Sequence, residues 1–254
     1  AAGLKAWATA HTTDTVQECR EACGGHGYLA ASRFAALKAD SDVFTTFEGD
    51  NTVLLQLVAK SLLTGFRRQF QDLNLLGLVR HLAGEAATVL TELNPVVTRR
   101  TDAEHLRDPE FHLAAFRWRE QHLLLTVARR IRRRLQADME THDAFIECQD
   151  HLIETARAHV ERLILESFQQ AVESQVAGEL RAVLGRLAAL FALARIETDR
   201  GWFQEHGYLE GAKSKAVRAQ VRRLCAEIRS DAVPLIEAFD IPPALLTAAD
   251  GRNG

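Results

Sequence analysis

The chain has 254 residues, 47% of them hydrophobic, enough to bury a sizeable core as one large helical domain or two smaller ones. Its net charge of -3, from 31 basic against 34 acidic side chains, excludes a broad basic surface for nucleic acid or an anionic membrane. No window approaches the roughly twenty apolar residues of a membrane span, and four cysteines without a paired CxxC pattern exclude a dense disulfide framework.

The opening Ala1-Ala2-Gly3-Leu4-Lys5-Ala6-Trp7 has neither the basic start nor the long apolar core of a signal peptide. Secretion is therefore not expected, and Cys19, Cys23, Cys148 and Cys225 are expected as reduced thiols. The chain starts in helix-like sequence without an initiator Met, as a piece of a longer protein would.

Leu4, Trp7, Ala8, Val16, Cys19 and Cys23 recur near helical spacing and predict a helix over residues 1–23 with that stripe buried. Gly24-Gly25-His26-Gly27 ends it, because glycine tolerates positive φ and a close backbone approach. Residues 28–41 read as a short helix or irregular segment, and Val43-Phe44-Thr45-Thr46-Phe47 as a brief extended stretch outside any sheet. Asp50 or Asn51 can cap the next helix, whose inward face carries Leu54, Leu57, Val58, Leu62 and Phe66. After a break near residues 72–74 a helix resumes through Leu75, Leu76, Leu78, Val79 and Leu82 and ends by Asn94-Pro95, leaving 94–109 as a loop.

All five prolines lie at 95, 109, 234, 242 and 243, so residues 110–233 are free to form long helices. One is predicted from about Phe111 to about Met139, with Phe116, Leu124, Val127, Ala128, Ile131 and Leu135 buried. A second carries Ile153, Ala156, Val160, Leu163, Ile164 and Phe168 and continues through Leu180, Val183, Leu187 and Phe191. A third covers about Ala212 to Arg229. With no alternating strand pattern and no fixed repeat, the fold class is all-α, a helical bundle.

Few side chains form a constellation with chemistry. Cys19, Cys23 and His26 lack a fourth ligand, and the histidines, His151 and His159 among them, include no HExxH pair, so no metal site is expected. Arg129, Arg130, Arg132, Arg133 and Arg134 flank Ile131 and Leu135, and their stems are expected around a buried seam with the charges in water. The glycine segment has neither the preceding strand of a dinucleotide fingerprint nor the GKS or GKT ending of a nucleotide-triphosphate loop, so by itself it reads as a helix C-cap. Glu48 has two readings. As a turn carboxylate it gains from the N-terminus of the following helix; as a general base it sits on backbone whose N–H groups around Gly49 can face a ligand oxygen. Spacing alone leaves both standing.

Cys19-Arg20-Glu21-Ala22-Cys23-Gly24-Gly25-His26-Gly27-Tyr28-Leu29, followed downstream by Phe47-Glu48-Gly49-Asp50-Asn51-Thr52-Val53-Leu54, resembles the C-terminal helical region of the acyl-CoA oxidases, within the acyl-CoA dehydrogenase superfamily. Asp231-Ala232-Val233-Pro234-Leu235-Ile236-Glu237-Ala238-Phe239-Asp240 resembles the end of the same region, so the similarity spans nearly the whole chain. The resemblance implies that Glu48 removes the pro-R α-proton of a fatty acyl-CoA while the β-hydrogen leaves as hydride to FAD, giving a trans-2-enoyl-CoA. It places the backbone at Glu48 and Gly49 near the thioester carbonyl, and it implies reoxidation of the flavin by O2 to hydrogen peroxide. It further implies that Gly24 and Gly25 approach the diphosphate of an FAD bound mainly by a neighbouring subunit, that Asp50, Asn51 and Thr52 contact flavin or ligand, and that the full-length protein is a homodimer.

Phe47 stands where the family commonly has Tyr, and Glu21 where dehydrogenases often have a flavin-contacting Gln; the second favours the oxidase branch. The N-terminal helical domain and the β-domain that carry most of the family's flavin and substrate contacts are missing, so the isolated chain is expected to be inactive. On this resemblance residues 1–92 form the helical domain beside the flavin, 93–110 a linker and 111–254 the oxidase-type C-terminal helical domain. The expected location is cytoplasmic in a bacterium and peroxisomal in a eukaryote; the ending Arg252-Asn253-Gly254 has no Ser-Lys-Leu type address, which truncation would remove. Competing expectations are an acyl-CoA dehydrogenase that passes electrons to a flavoprotein, and a helical dimerisation module without chemistry.

Overall fold

Three helices start where an aspartate side chain takes up free backbone N–H groups, one of them with a proline beside it. In the computed structural model, which describes residues 1–71, 99–175 and 178–242, eleven α-helices are present and the described residues contain no strand. The first three are α1 (Ala2–Ala22), α2 (Phe34–Thr46) and α3 (Asn51–Gln71). They are followed by α4 (Ala103–Arg107), α5 (Pro109–Gln136), α6 (Thr141–Ile146) and α7 (Gln149–Gln175). The last four are α8 (Gly178–Thr198), α9 (Arg200–Glu205), α10 (Gly211–Ile228) and α11 (Ala232–Glu237). The helix expected through Leu75 to Leu82 lies outside the described residues.

Asp102 Oδ1 accepts from the His105 N–H at 2.9 Å and starts α4, and Asp108 Oδ1 accepts from the Glu110 N–H at 2.9 Å and starts α5, whose first residue is Pro109. Each such cap is worth about 1 kcal/mol. The segment expected to be a loop up to residue 109 therefore contains a short helix.

Cross-helix pairs set the directions. Thr126 with His151, Glu120 with His159 and Arg117 with Glu166 make α5 and α7 antiparallel. Arg195 with Glu161 and Arg181 with the Glu173 carbonyl do the same for α7 and α8. One core, drawn from α4, α5 and α7 to α10, encloses Leu106, Phe116, Leu165, Leu193, Phe203 and Leu224. A second joins Ala6 of α1 and Leu55 and Ala59 of α3 to Val127 and Ile131 of α5 and Leu152 and Ala156 of α7. Helix α7 thus serves both cores, and each fully buried Leu or Phe side chain contributes about 1.5–3 kcal/mol.

Several faces differ from expectation. On α1 the buried residues are Gly3 and Ala6, while Leu4 is 53% exposed and Ala8, Cys19 and Cys23 also face outward. The small residues let α1 lie close to α7: a Cβ on Gly3 would sit 2.4 Å from Val160 Cγ2. Helix α3 is likewise turned so that Leu55 and Ala59 are buried and Leu57 is exposed. Leu135, one residue before the end of α5, is exposed, and on α7 Leu165 takes the inward position while Leu163 does not. The stretch expected to be extended is the last turn of α2. Thr45 and Thr46 Oγ1 donate to the carbonyls of Asp42 at 2.7 Å and Val43 at 3.0 Å, and Phe47 alone is extended, at φ -66° and ψ 153°. Helices α7 and α8 are two elements folded back on each other where one continuous helix was expected.

Candidate functional site

Helices α1 and α2 form an antiparallel hairpin. Thr13 of α1 meets Lys38 and Asp42 of α2, while Lys5, near the start of α1, meets Gly49 just beyond the end of α2. Two turns therefore lie at opposite ends of the hairpin, one rich in glycine and one carrying a carboxylate.

At the glycine end α1 stops at Ala22, Gly24 takes φ 55°, and Gly24–Tyr28 closes as a 3-10 turn. Ser32 Oγ donates to the His26 carbonyl at 2.6 Å, and the Arg20 guanidinium lies 4.8 Å from the centre of the Tyr28 ring. Gly27 is buried, and a Cβ there would fall 2.1 Å from the Arg20 carbonyl oxygen, so the turn needs glycine to close on α1. Gly24 and Gly25 are exposed, and a Cβ on either would meet nothing within 4 Å.

At the other end the backbone makes two left-handed residues in succession, Glu48 at φ 54° and Gly49 at φ 100°. For glycine this conformation is free of strain; for Glu48 it costs about 1–2 kcal/mol. The turn is held from both sides. Asp50 Oδ1 accepts from the Thr52 N–H at 2.8 Å and caps α3, and Lys5 Nζ donates to the Gly49 carbonyl at 2.7 Å and to Asn51 Oδ1 at 3.0 Å. Asn51 Nδ2 donates in turn to the Ala6 carbonyl at 3.2 Å and to Thr9 Oγ1 at 2.9 Å. The Glu48 side chain is exposed at the N-terminus of α3, where unpaired N–H groups favour an anion.

Of the residues singled out by sequence, Glu48, Gly49, Asp50, Asn51 and Thr52 are thus brought together, and Gly24 and Gly25 lie elsewhere. From Lys5 to Gly24 the helix rises roughly 28 Å at about 1.5 Å per residue. Asn51 is engaged with α1 through its side chain, and Thr52 faces a cavity of about 460 Å³ between α1, α3, α5, α7 and α8. The remaining candidates take ordinary partners: His151 bonds Thr126 and Arg130, His159 bonds Glu120, and Cys19 and Cys23 are exposed.

Three sets of buried polar contacts had no sequence signal. Arg119, 7% exposed in its side chain, bridges Glu161 of α7 and Asp199 after α8 at the wall of that cavity, and Arg195 donates to Glu161 at 3.3 Å. Their separations of 42 and 80 residues give no local pattern. Lys213 Nζ lies 2.9 Å from His105 Nε2 and 4.1 Å from the centre of the Phe111 ring. Burial, and then the Lys213 charge, push His105 down to about 4. His112 Nε2–H donates to the Leu106 carbonyl at 2.8 Å, and burial pushes this imidazole down to about 4 as well.

Known proteins match both the first and the second half of the chain. A family model described as acyl-CoA oxidase matches residues 108–253, and one described as the acyl-CoA oxidase C-alpha1 domain matches residues 1–63. Acyl-coenzyme A oxidase 2, peroxisomal, of Arabidopsis thaliana is 40% identical over 95% of this chain. The crystal structure of acyl-CoA oxidase 1 from Yarrowia lipolytica superposes with a TM-score of 0.83 at 27% identity, covering 97% of this chain and 35% of that one. Acyl-CoA oxidase-1 of Caenorhabditis elegans, crystallised with FAD and ATP, shares the fold with a TM-score of 0.78 at 21% identity, over 97% of this chain and 36% of that one. The chain spans 35% of the length of the Arabidopsis relative. It belongs to the acyl-CoA oxidase family.

Proposed function

We propose that Glu48 is the base that takes the α-proton of a fatty acyl-CoA in the full-length protein, which converts it to the trans-2-enoyl-CoA. The observation that carries this reading is the Glu48-Gly49 turn: a strained left-handed carboxylate residue, exposed at a helix N-terminus and held by hydrogen bonds from another helix. Strain of this kind persists only when the surroundings over-determine it, and it gathers at functional sites. The Glu48 carboxylate abstracts the proton, and the Glu48 N–H faces the thioester oxygen, where negative charge develops as that proton leaves. FAD, when bound, accepts the β-hydrogen as hydride and passes two electrons to O2 to give hydrogen peroxide.

Gly24 and Gly25 fit a cofactor diphosphate, because their exposed backbone leaves open space where any other residue would carry a side chain. Their distance from Glu48 favours a homodimer in which the two turns of one hairpin serve two different flavins, related by a two-fold axis. Asp50, Asn51 and Thr52, directly after the base in the chain, are the further flavin or ligand contacts of this reading, with Asn51 also held against α1. Residues 1–92 act as the flavin-side domain and 111–254 as the oxidase-type C-terminal domain, and the connection 93–110 carries the core-packed helix α4 and the first residues of α5. The isolated chain is inactive, since it spans 35% of the length of the Arabidopsis relative. In a eukaryote the protein works in the peroxisome, as the names of several relatives state for themselves.

In the full-length protein, Glu48→Gln is expected to keep FAD and lose turnover by several orders of magnitude, each tenfold equal to about 1.4 kcal/mol of barrier. Flavin reduction by acyl-CoA at a near-normal rate in that variant would remove Glu48 as the base. Hydrogen peroxide release by the wild type distinguishes an oxidase from a dehydrogenase.

A further inference from the structure

We infer that Lys5 is a positioning residue for Glu48, acting through the Gly49 carbonyl; this rests on the reading of Glu48 as the base. Lys5 stands on α1, 44 residues before Gly49, and its ammonium donates to the Gly49 carbonyl at 2.7 Å and to Asn51 Oδ1 at 3.0 Å. Gly49 follows Glu48 directly, and both are left-handed. A turn of two left-handed residues has few internal restraints, and its peptide planes swing unless something outside it fixes a carbonyl. Lys5 fixes that carbonyl, while the Asp50 cap fixes the start of α3. Between these two anchors the direction of the Glu48 N–H and of its Cα–Cβ bond is set.

A purely structural role for Lys5, tying α1 to α3, is already filled. Asn51 makes that tie with the Ala6 carbonyl and Thr9, and Ala6, Leu55 and Ala59 pack in the shared core. The Lys5 bond to Gly49 goes to the turn itself, at a carbonyl outside both the α1 and α3 helices. Its ammonium also carries positive charge into the turn that holds the Glu48 carboxylate. A base displaced by about 1 Å loses on the order of a hundredfold in rate.

The test is single-turnover flavin reduction in the full-length protein at saturating acyl-CoA, with KM, FAD content and melting temperature measured alongside. Lys5→Met is expected to slow flavin reduction about ten- to a hundredfold while KM and FAD content stay near wild type. Lys5→Arg, which restores a donor, recovers most of the loss. Lys38→Met removes the Lys38 contacts to Thr13 and Asp42 on the same hairpin and leaves the rate unchanged, so loosening the hairpin elsewhere does not reproduce the effect. Lys5→Leu, which also lacks a donor, replaces Lys5→Met if that variant does not fold. A wild-type rate in Lys5→Met beside an inactive Glu48→Gln overturns the positioning role and leaves the base in place. An active Glu48→Gln overturns both. Equal losses in Lys5→Met and Lys5→Arg, with FAD lost or melting lowered, assign Lys5 to the fold alone.

Discussion

Alanine substitution through the Gly24-Gly25-His26-Gly27 turn separates glycines needed by this chain from glycines needed by something that approaches it. Gly27→Ala forces a Cβ to 2.1 Å from the Arg20 oxygen and 3.0 Å from the Arg20 carbonyl carbon, both backbone atoms of α1 that cannot step aside. Overpacking against such atoms costs about 3 kcal/mol, which lowers melting by roughly 6–12 °C in a domain of this size. Gly24→Ala meets open space but keeps φ 55°, a cost of about 1 kcal/mol. Gly25→Ala meets neither obstacle, and the smaller entropy of the unfolded chain makes it neutral or stabilising by up to about 1 kcal/mol. Yet Gly25→Ala is expected to weaken FAD retention in the full-length dimer at least about tenfold, about 1.4 kcal/mol, because the new methyl fills the space through which the cofactor approaches. Thermal melts give the first three magnitudes, and flavin retained after dialysis gives the fourth. If Gly25→Ala melts as low as Gly27→Ala, the steric reasoning is wrong. If Gly25→Ala holds FAD as tightly as wild type, the turn does not border a cofactor.

Arg119→Met leaves the buried Glu161 without its principal counter-charge and is expected to cost about 3–5 kcal/mol in urea denaturation, with part recovered in Arg119→Met/Glu161→Gln. A change below about 1 kcal/mol would show that the network is dispensable to the fold. His112 is held neutral, with its folded value near 4 against an unfolded value of 6.5, so its contribution is present above 6.5 and is lost as pH falls toward 4. From about pH 7.5 to about pH 5 this one group removes about 2 kcal/mol of stability, and His112→Gln should flatten that part of the profile; an unchanged slope contradicts the burial argument.

The starts of α5 and α10 lie within two residues of expectation, at Pro109 against about Phe111 and at Gly211 against about Ala212, because helical spacing in a proline-free stretch marks them. The buried face of α1 was misread because hydrophobic spacing weights Leu4 and Cys19, whereas helices that nearly touch use Gly3 and Ala6 at the contact. Val43 to Thr46 looked extended from β-branching, a preference that the packing of α2 on α1 overrides, with the Thr45 and Thr46 hydroxyls bonded back to helix carbonyls. At Glu48, spacing offered two readings and the family resemblance favoured one of them. The Lys5 bond to Gly49 left no trace in spacing, since its partners lie on different elements, and the pairing of Arg119 with Asp199 is hidden for the same reason.

The antiparallel hairpin of α1 and α2 also behaves as a strut of set length. One residue inserted into α2 would turn everything after it by about 100° and lengthen that arm by about 1.5 Å, carrying the Gly49 carbonyl away from Lys5 while leaving the glycine turn untouched. The arms between the two ends therefore tolerate drift in sequence but not in length. An insertion in one arm is harmless only if the other arm gains a matching one, so homologous hairpins should differ by paired whole turns or not at all.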